Sequence, residues 1–136
     1  MLNVERVDFV SVPTRDVAGA RRFYGELLGL EESTTPEDVF PEFEMSNVTL
    51  SVWQPELVGM PFVPSAGVAL RVPDVAEARR QLEDAGIVFG GETMDTGVCH
   101  MAFCKDFDGN GIVLHRRYAP PRPHGTSHAA SREAAE

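Results

Sequence analysis

The chain has 136 residues, 43% of them hydrophobic, and a formal net charge of −9. That length is one domain's worth, with apolar content enough for a core that needs no disulfide framework. The acidic balance counts against a nucleic-acid surface, which requires a basic patch, and it suits neutral or cationic ligands better than anionic ones, although a net charge leaves the sign of any one pocket open.

In chain order, Met1 to Glu5 lacks the basic start and apolar core of a signal peptide. Val4 to Val12 alternates as a strand, with Val10 and Val12 on one face and Val7, Phe9 and Ser11 on the other. Pro13 to Asp16 ends it. Asp16 is placed to cap a helix in which Ala18, Ala20, Phe23, Tyr24, Leu27 and Leu28 form an apolar face, closed by Gly29. Glu31 to Asp38 reads as a loop or short edge strand. Val39 to Met45 and Val48 to Trp53 read as two strands joined at Ser46-Asn47. Pro55, Pro61 and Pro64 exclude a central strand from residues 54–65 and mark a linker. Yet Leu57, Val58, Met60, Phe62 and Val63 are too apolar for a solvated connector, so the segment is expected to lie over a pocket or a partner subunit.

The second half repeats the first. Asp16-Val17-Ala18-Gly19-Ala20-Arg21-Arg22 returns as Asp74-Val75-Ala76-Glu77-Ala78-Arg79-Arg80, differing at one position, so a module is duplicated. Val68 to Val72 predicts a strand, Asp74 to Ala85 a helix closed by Gly86, Ile87 to Phe89 a short strand and Val98 to Phe103 a longer one. Cys99 and Cys104 match no ligand or CxxC spacing and read as free thiols of a reducing compartment. Asp106 to Asn110 is a turn with Gly109 supplying positive φ, and Ile112 to Arg116 is the last strand. From Ala119 the Pro- and Ala-rich composition predicts a disordered tail, whose end, Ser131 to Glu136, is too short for an isolated helix. No run reaches the roughly 20 apolar residues of a membrane span. A cytoplasmic protein without membrane or nucleic-acid partners is the expectation.

The segments VDFVSVPTRDVAGARRFYGELLGL and FCKDFDGNGIVLHRR carry a resemblance to the vicinal oxygen chelate superfamily, whose members include glyoxalase I, extradiol dioxygenases and bleomycin resistance proteins. It covers residues 4–118. The resemblance implies an α+β fold in which two βαβββ modules in tandem, 4–53 and 66–118, form a curved mixed sheet around a cleft. One domain would span 1–118, with a tail at 119–136. It also implies a homodimer, because one-domain members often complete their clefts with a partner chain. In the enzymes a divalent metal sits on the cleft floor. The ligand positions align with Phe9, Ser51, Gly67 and Val113, none of them a customary ligand. No metal, no cofactor and no catalytic residue is therefore assigned.

Strand alternation nominates what lines the cleft instead: Phe9 and Ser11, Ser51 and Trp53, Gly67, Ala69 and Arg71, and Val113 and His115. Met101 and Phe103 are expected to face the helices, which would turn His100 and Ala102 toward the cleft. Phe43 and Met45 are expected in the core, with Phe40, Glu42 and Glu44 on the opposite side. Met60 comes from the linker. Glu42 and Glu44 share a face in the manner of an acid/base pair, but no histidine is paired with them in sequence. An aromatic, partly polar groove of this kind suits a flat or extended organic molecule. The leading expectation is a metal-free protein that sequesters a hydrophobic, aromatic or cationic natural product of the antibiotic class. The alternatives are a lyase, isomerase or oxygenase using displaced groups such as Glu42, His100 and His115, and a housekeeping member with a vestigial pocket.

Overall fold

Asp16 and Asp74 begin the two halves in the same way. Each side chain accepts a hydrogen bond from the backbone N–H three residues on, Gly19 in one case and Glu77 in the other, at 3.1 Å. The one variable position of the repeat is thus the residue that meets the cap. The computed structural model describes residues 1–121, so the expectation of a disordered tail lies, but for its first residues, outside what is described.

The first half runs β1 (Phe9–Pro13), α1 (Val17–Arg21), a π-helical turn (Arg22–Leu27), β2 (Glu31–Glu32), β3 (Glu42–Glu44) and β4 (Thr49–Trp53). The second runs β5 (Val68–Arg71), α2 (Val75–Asp84), β6 (Gly90–Asp95), β7 (Cys99–Lys105) and β8 (Gly111–Arg117). Between them Pro55–Val58 forms a 3₁₀ turn. The strand orders are β1-β4-β3-β2 and β5-β8-β7-β6. In each sheet the first strand pairs parallel to the last and the remaining pairs are antiparallel. No ladder joins the sheets, so β1 and β5 are both edge strands.

Three expected elements differ. β1 starts at Phe9, because its partner β4 starts at Thr49 and offers nothing to pair with Val4 to Asp8. Those residues are exposed, with Arg6 closing only a local pair to Asp8. Ile87 to Phe89 is not a strand. Ile87 and Phe89 bury their side chains, and the ladder is made by the following, exposed Gly90–Asp95. β3 holds only Glu42–Glu44, following buried Pro41. Both helices end at the glycines anticipated, Gly29 at φ +72° and Gly86 at φ +95°. Helix one widens into π geometry, Leu28 N–H donating to the Phe23 carbonyl five residues back.

One apolar core serves both halves: Val12, Phe23, Tyr24, Phe43, Leu50 and Val52 from the first, Val75, Leu82, Ala102, Ile112 and Leu114 from the second. Each large side chain removed from water contributes about 2 kcal/mol. The turn Asp106–Asn110 bolts the halves together. Tyr24 donates its hydroxyl to Asp106 Oδ2 at 2.6 Å. Asn110, fully buried, donates from Nδ2 to that oxygen (2.7 Å) and to the Pro13 carbonyl (2.8 Å), while its Oδ1 accepts from Ser65 N–H (2.8 Å). Thr14 Oγ1 and Arg15 N–H donate to Asp108 at 2.6 and 2.9 Å. Gly111 follows because a Cβ there would collide with the Ala66 carbonyl. The linker is pinned by the Arg15 guanidinium, 3.9 Å above the Phe62 ring.

Candidate ligand-binding site

Each sheet turns one face to the core and leaves the other open. On β1 and β4 the buried Val12, Leu50 and Val52 fix the parity, which sends Phe9, Ser11, Ser51 and Trp53 to the open side. Glu42, Ser51 and Ser11 are direct cross-strand neighbours, as are Glu44, Thr49 and Phe9. Phe9 is 59% exposed, and Trp53 is half-buried beside Pro13. Glu44 accepts from the Ser33 and Thr49 hydroxyls.

The second open face has two rows. Ala69, Val113 and Phe103 form one; Arg71, His115, Met101 and Met94 form the other. The expected parity of β7 is inverted here. Ala102 is 0% exposed and Cys104 is buried beside Leu114 and Ile112, so these small side chains face the core and Met101 and Phe103 take the open face. His100 consequently lies on the opposite side of the sheet from His115. Its Nε2 is 3.5 Å from Asp95 Oδ2 and its ring 4.7 Å from that of Tyr118. Tyr118 donates to the same carboxylate at 2.8 Å. Burial raises the Cys104 thiol pKa, with the Asp106 carboxylate adding to it, to about 11.

The site residues named from sequence therefore fall into two sets on separate sheets: Phe9, Ser11, Glu42, Ser51 and Trp53 on one, Arg71, Val113 and His115 on the other. Gly67 precedes β5, next to the Gly111 carbonyl. Phe40 is half-buried ahead of β3, and Met60 is 52% exposed after the 3₁₀ turn. A crevice of about 560 Å³ opens elsewhere, between the two edge strands, lined by Val10, Leu28 and Met45 of the first half and Val68, Leu70 and Leu114 of the second. Of the residues nominated from sequence as lining the cleft, only Ala69 and Arg71 border it. Sequence reasoning missed the crevice because its walls are core-type positions, left partly covered where the two halves meet. It also missed Met101 and Phe103, whose size suggested the core.

Phe9, Ser51, Gly67 and Val113 do not fit a divalent ion: three carry no donor atom on the side chain, and a lone serine hydroxyl does not bind one tightly. Among the described residues no group of three or more His, Cys, Asp or Glu is placed to hold a metal. Glu42, His100 and His115 are not brought together either, since Glu42 is on the other sheet and His100 on the other face.

The family model described as Glyoxalase/Bleomycin resistance protein/Dioxygenase superfamily matches residues 6–114. The chain belongs to this superfamily. Its α+β architecture of two four-stranded mixed sheets is the vicinal oxygen chelate fold, with the sheets not closed on one another. The chain is similar to TnmS3, an antibiotic binding protein from Streptomyces sp. CB03234, at 26% identity and TM-score 0.71, covering 86% of this chain and 99% of that one. It is similar in fold to a lactoylglutathione lyase from Agrobacterium tumefaciens (16% identity, TM-score 0.69, 83% and 94% covered). A superfamily protein from Nocardioides is likewise similar in fold (18% identity, TM-score 0.70, 93% of each chain). No curated protein matches the chain in a sequence comparison. Superfamily membership does not by itself select among binding, lyase and oxygenase chemistries. Among the described residues no helix is long and apolar enough to cross a membrane.

Proposed function

We propose that this superfamily member is a metal-free binding protein that sequesters a hydrophobic, aromatic small molecule, an antibiotic being the ligand class suggested by the similarity to TnmS3. The observation that carries the reading is the character of the open faces. Where the resemblance expects metal ligands they present Phe9, Ser51, Gly67 and Val113, with Trp53, Met101 and Phe103 nearby. Such a surface binds by stacking and desolvation and makes no bond. In this reading the protein acts in the cytoplasm, as a single domain of about residues 1–118.

The reading includes a homodimer. Two strands with unpaired outer edges, β1 and β5, flank an apolar crevice, and each open face is half of a cleft until another surface covers it. A second copy would set the Phe9 and Trp53 face of one chain against the Arg71 and His115 face of the other.

Trp53 is the only tryptophan of the chain, so its fluorescence reports on the proposed site directly. Titration with a panel of flat polycyclic natural products is expected to quench it and raise the melting temperature. A panel that moves neither sinks the reading. Metal analysis of protein purified without chelator is expected to find well below one divalent ion per chain. About one tightly held ion would return the metalloenzyme alternative to first place.

A further inference from the structure

We infer that the ligand carries an acidic group, a carboxylate or similar oxyanion joined to its aromatic frame, and that Arg71 with His115 receives it; this rests on the binding function proposed above. The two open faces differ in charge. On β5, β8 and β7 alternation places Arg71, Lys105, His115 and Arg117 on the open side and no carboxylate with them; the one acid on that side, Glu92, stands on the outer strand β6, three strands away from Arg71. On β1, β4 and β3 it places Glu42 and Glu44 and no cation. In a chain of net charge −9 a stretch of three strands with only cations on its open side is not what overall composition would produce.

Arg71, with Arg116 on the opposite face of the same sheet, differs from the other described guanidinium groups in having no partner. Arg21 pairs with Glu32, Arg79 with Glu83, and Arg80 with Glu77 and Asp84. Arg15 and Arg22 lie over the rings of Phe62 and Phe107. Arg71 makes no hydrogen bond or ion pair among the described residues, on an exposed strand whose direct neighbour is His115. Its planar fork matches a carboxylate bidentately, and an imidazole beside it supplies one more N–H in either protonation state. An exposed arginine gains little from an anion in water. Met101, Phe103 and Val113 change that balance, because an aromatic frame laid across them excludes water from the contact and strengthens it. The small Ala69 beside Arg71 leaves room for such a frame to lie flat.

The test uses matched probes: naphthalene-2-carboxylate and anthraquinone-2-carboxylate, each with its neutral amide, titrated calorimetrically and by Trp53 fluorescence. The carboxylates are expected to bind about tenfold or more tightly than the amides. Raising the salt to about 0.5 M should weaken the carboxylates selectively. Arg71→Gln should abolish the preference by weakening the carboxylates to the level of the amides, Arg71→Lys should keep part of it, and His115→Gln should narrow it. Acids and amides binding alike to the wild type would overturn the inference and leave the binding function standing. Arg71→Gln weakening both classes equally would also overturn it, by making Arg71 a packing residue. Binding of neither class would remove both.

Discussion

Replacing Tyr24 by phenylalanine removes one oxygen from a buried site. The phenol is one of two donors to Asp106 Oδ2, the other being Asn110 Nδ2, so Tyr24→Phe should cost about 1–3 kcal/mol in denaturant unfolding. Burial, and then the Asp106 carboxylate, push the Tyr24 pKa far above the ordinary tyrosine value. The Cys104 thiol moves the same way, to about 11. Both groups are neutral when protonated and both are raised by folding. Their contribution to stability is therefore complete below the unfolded values, about 8.5 for a thiol and 10 for a phenol, and is lost as pH climbs above them. Unfolding measured from pH 7 to 11 should show stability falling at the alkaline end, and Tyr24→Phe should flatten that fall. In the native protein iodoacetamide should modify half-buried Cys99 well before Cys104. Equal rates would contradict the burial described here.

At the scale of the elements, the duplicated heptapeptide sets both helix starts. Asp16→Ala and Asp74→Ala should each cost about 1 kcal/mol. The double mutant should show their sum, since the caps belong to different halves and share no partner. A deficit in the double mutant would mean that the caps communicate. The helix ends and the turn at Gly109 were legible for the same reason as the caps, because each depends on a few adjacent residues. β7 was not. From Met101 to Lys105 it alternates large and small side chains, and size alone assigned Met101 and Phe103 to the core. Packing does the reverse, since Ala102 and Cys104 are what fits between β8 and the interior. Ile87 and Phe89 were misread in the opposite sense, as a strand, because burial and ladder formation give the same apolar alternation.

For the molecule as a whole, Asn110 is the residue on which the joint of the halves turns. Asn110→Ala leaves the Pro13 carbonyl and the Ser65 N–H without this partner and takes one donor away from Asp106 Oδ2, and should cost roughly 3 kcal/mol or more. The loss should appear as one cooperative transition, since both halves share a core. Two separated transitions would show that the halves fold apart. Phe9→Ala, by contrast, removes a 59% exposed ring from an open face. It should leave the melting temperature within about 1–2 °C of wild type while weakening aromatic ligands about tenfold, measured by the Trp53 titration.

The duplication, the capped helices, the closing glycines, the superfamily and the want of metal donors at the aligned positions were all determined by the sequence, because each is a matter of residue type at a local spacing. The sides taken by His100 and Met101, the bolt from Asp106 and Asn110 to Tyr24 and Pro13, and the separation of acidic from basic open faces were decided only in three dimensions. They depend on which strand lies beside which, and chain spacing does not encode contacts between residues some eighty to a hundred positions apart, such as Tyr24 with Asp106 and Pro13 with Asn110.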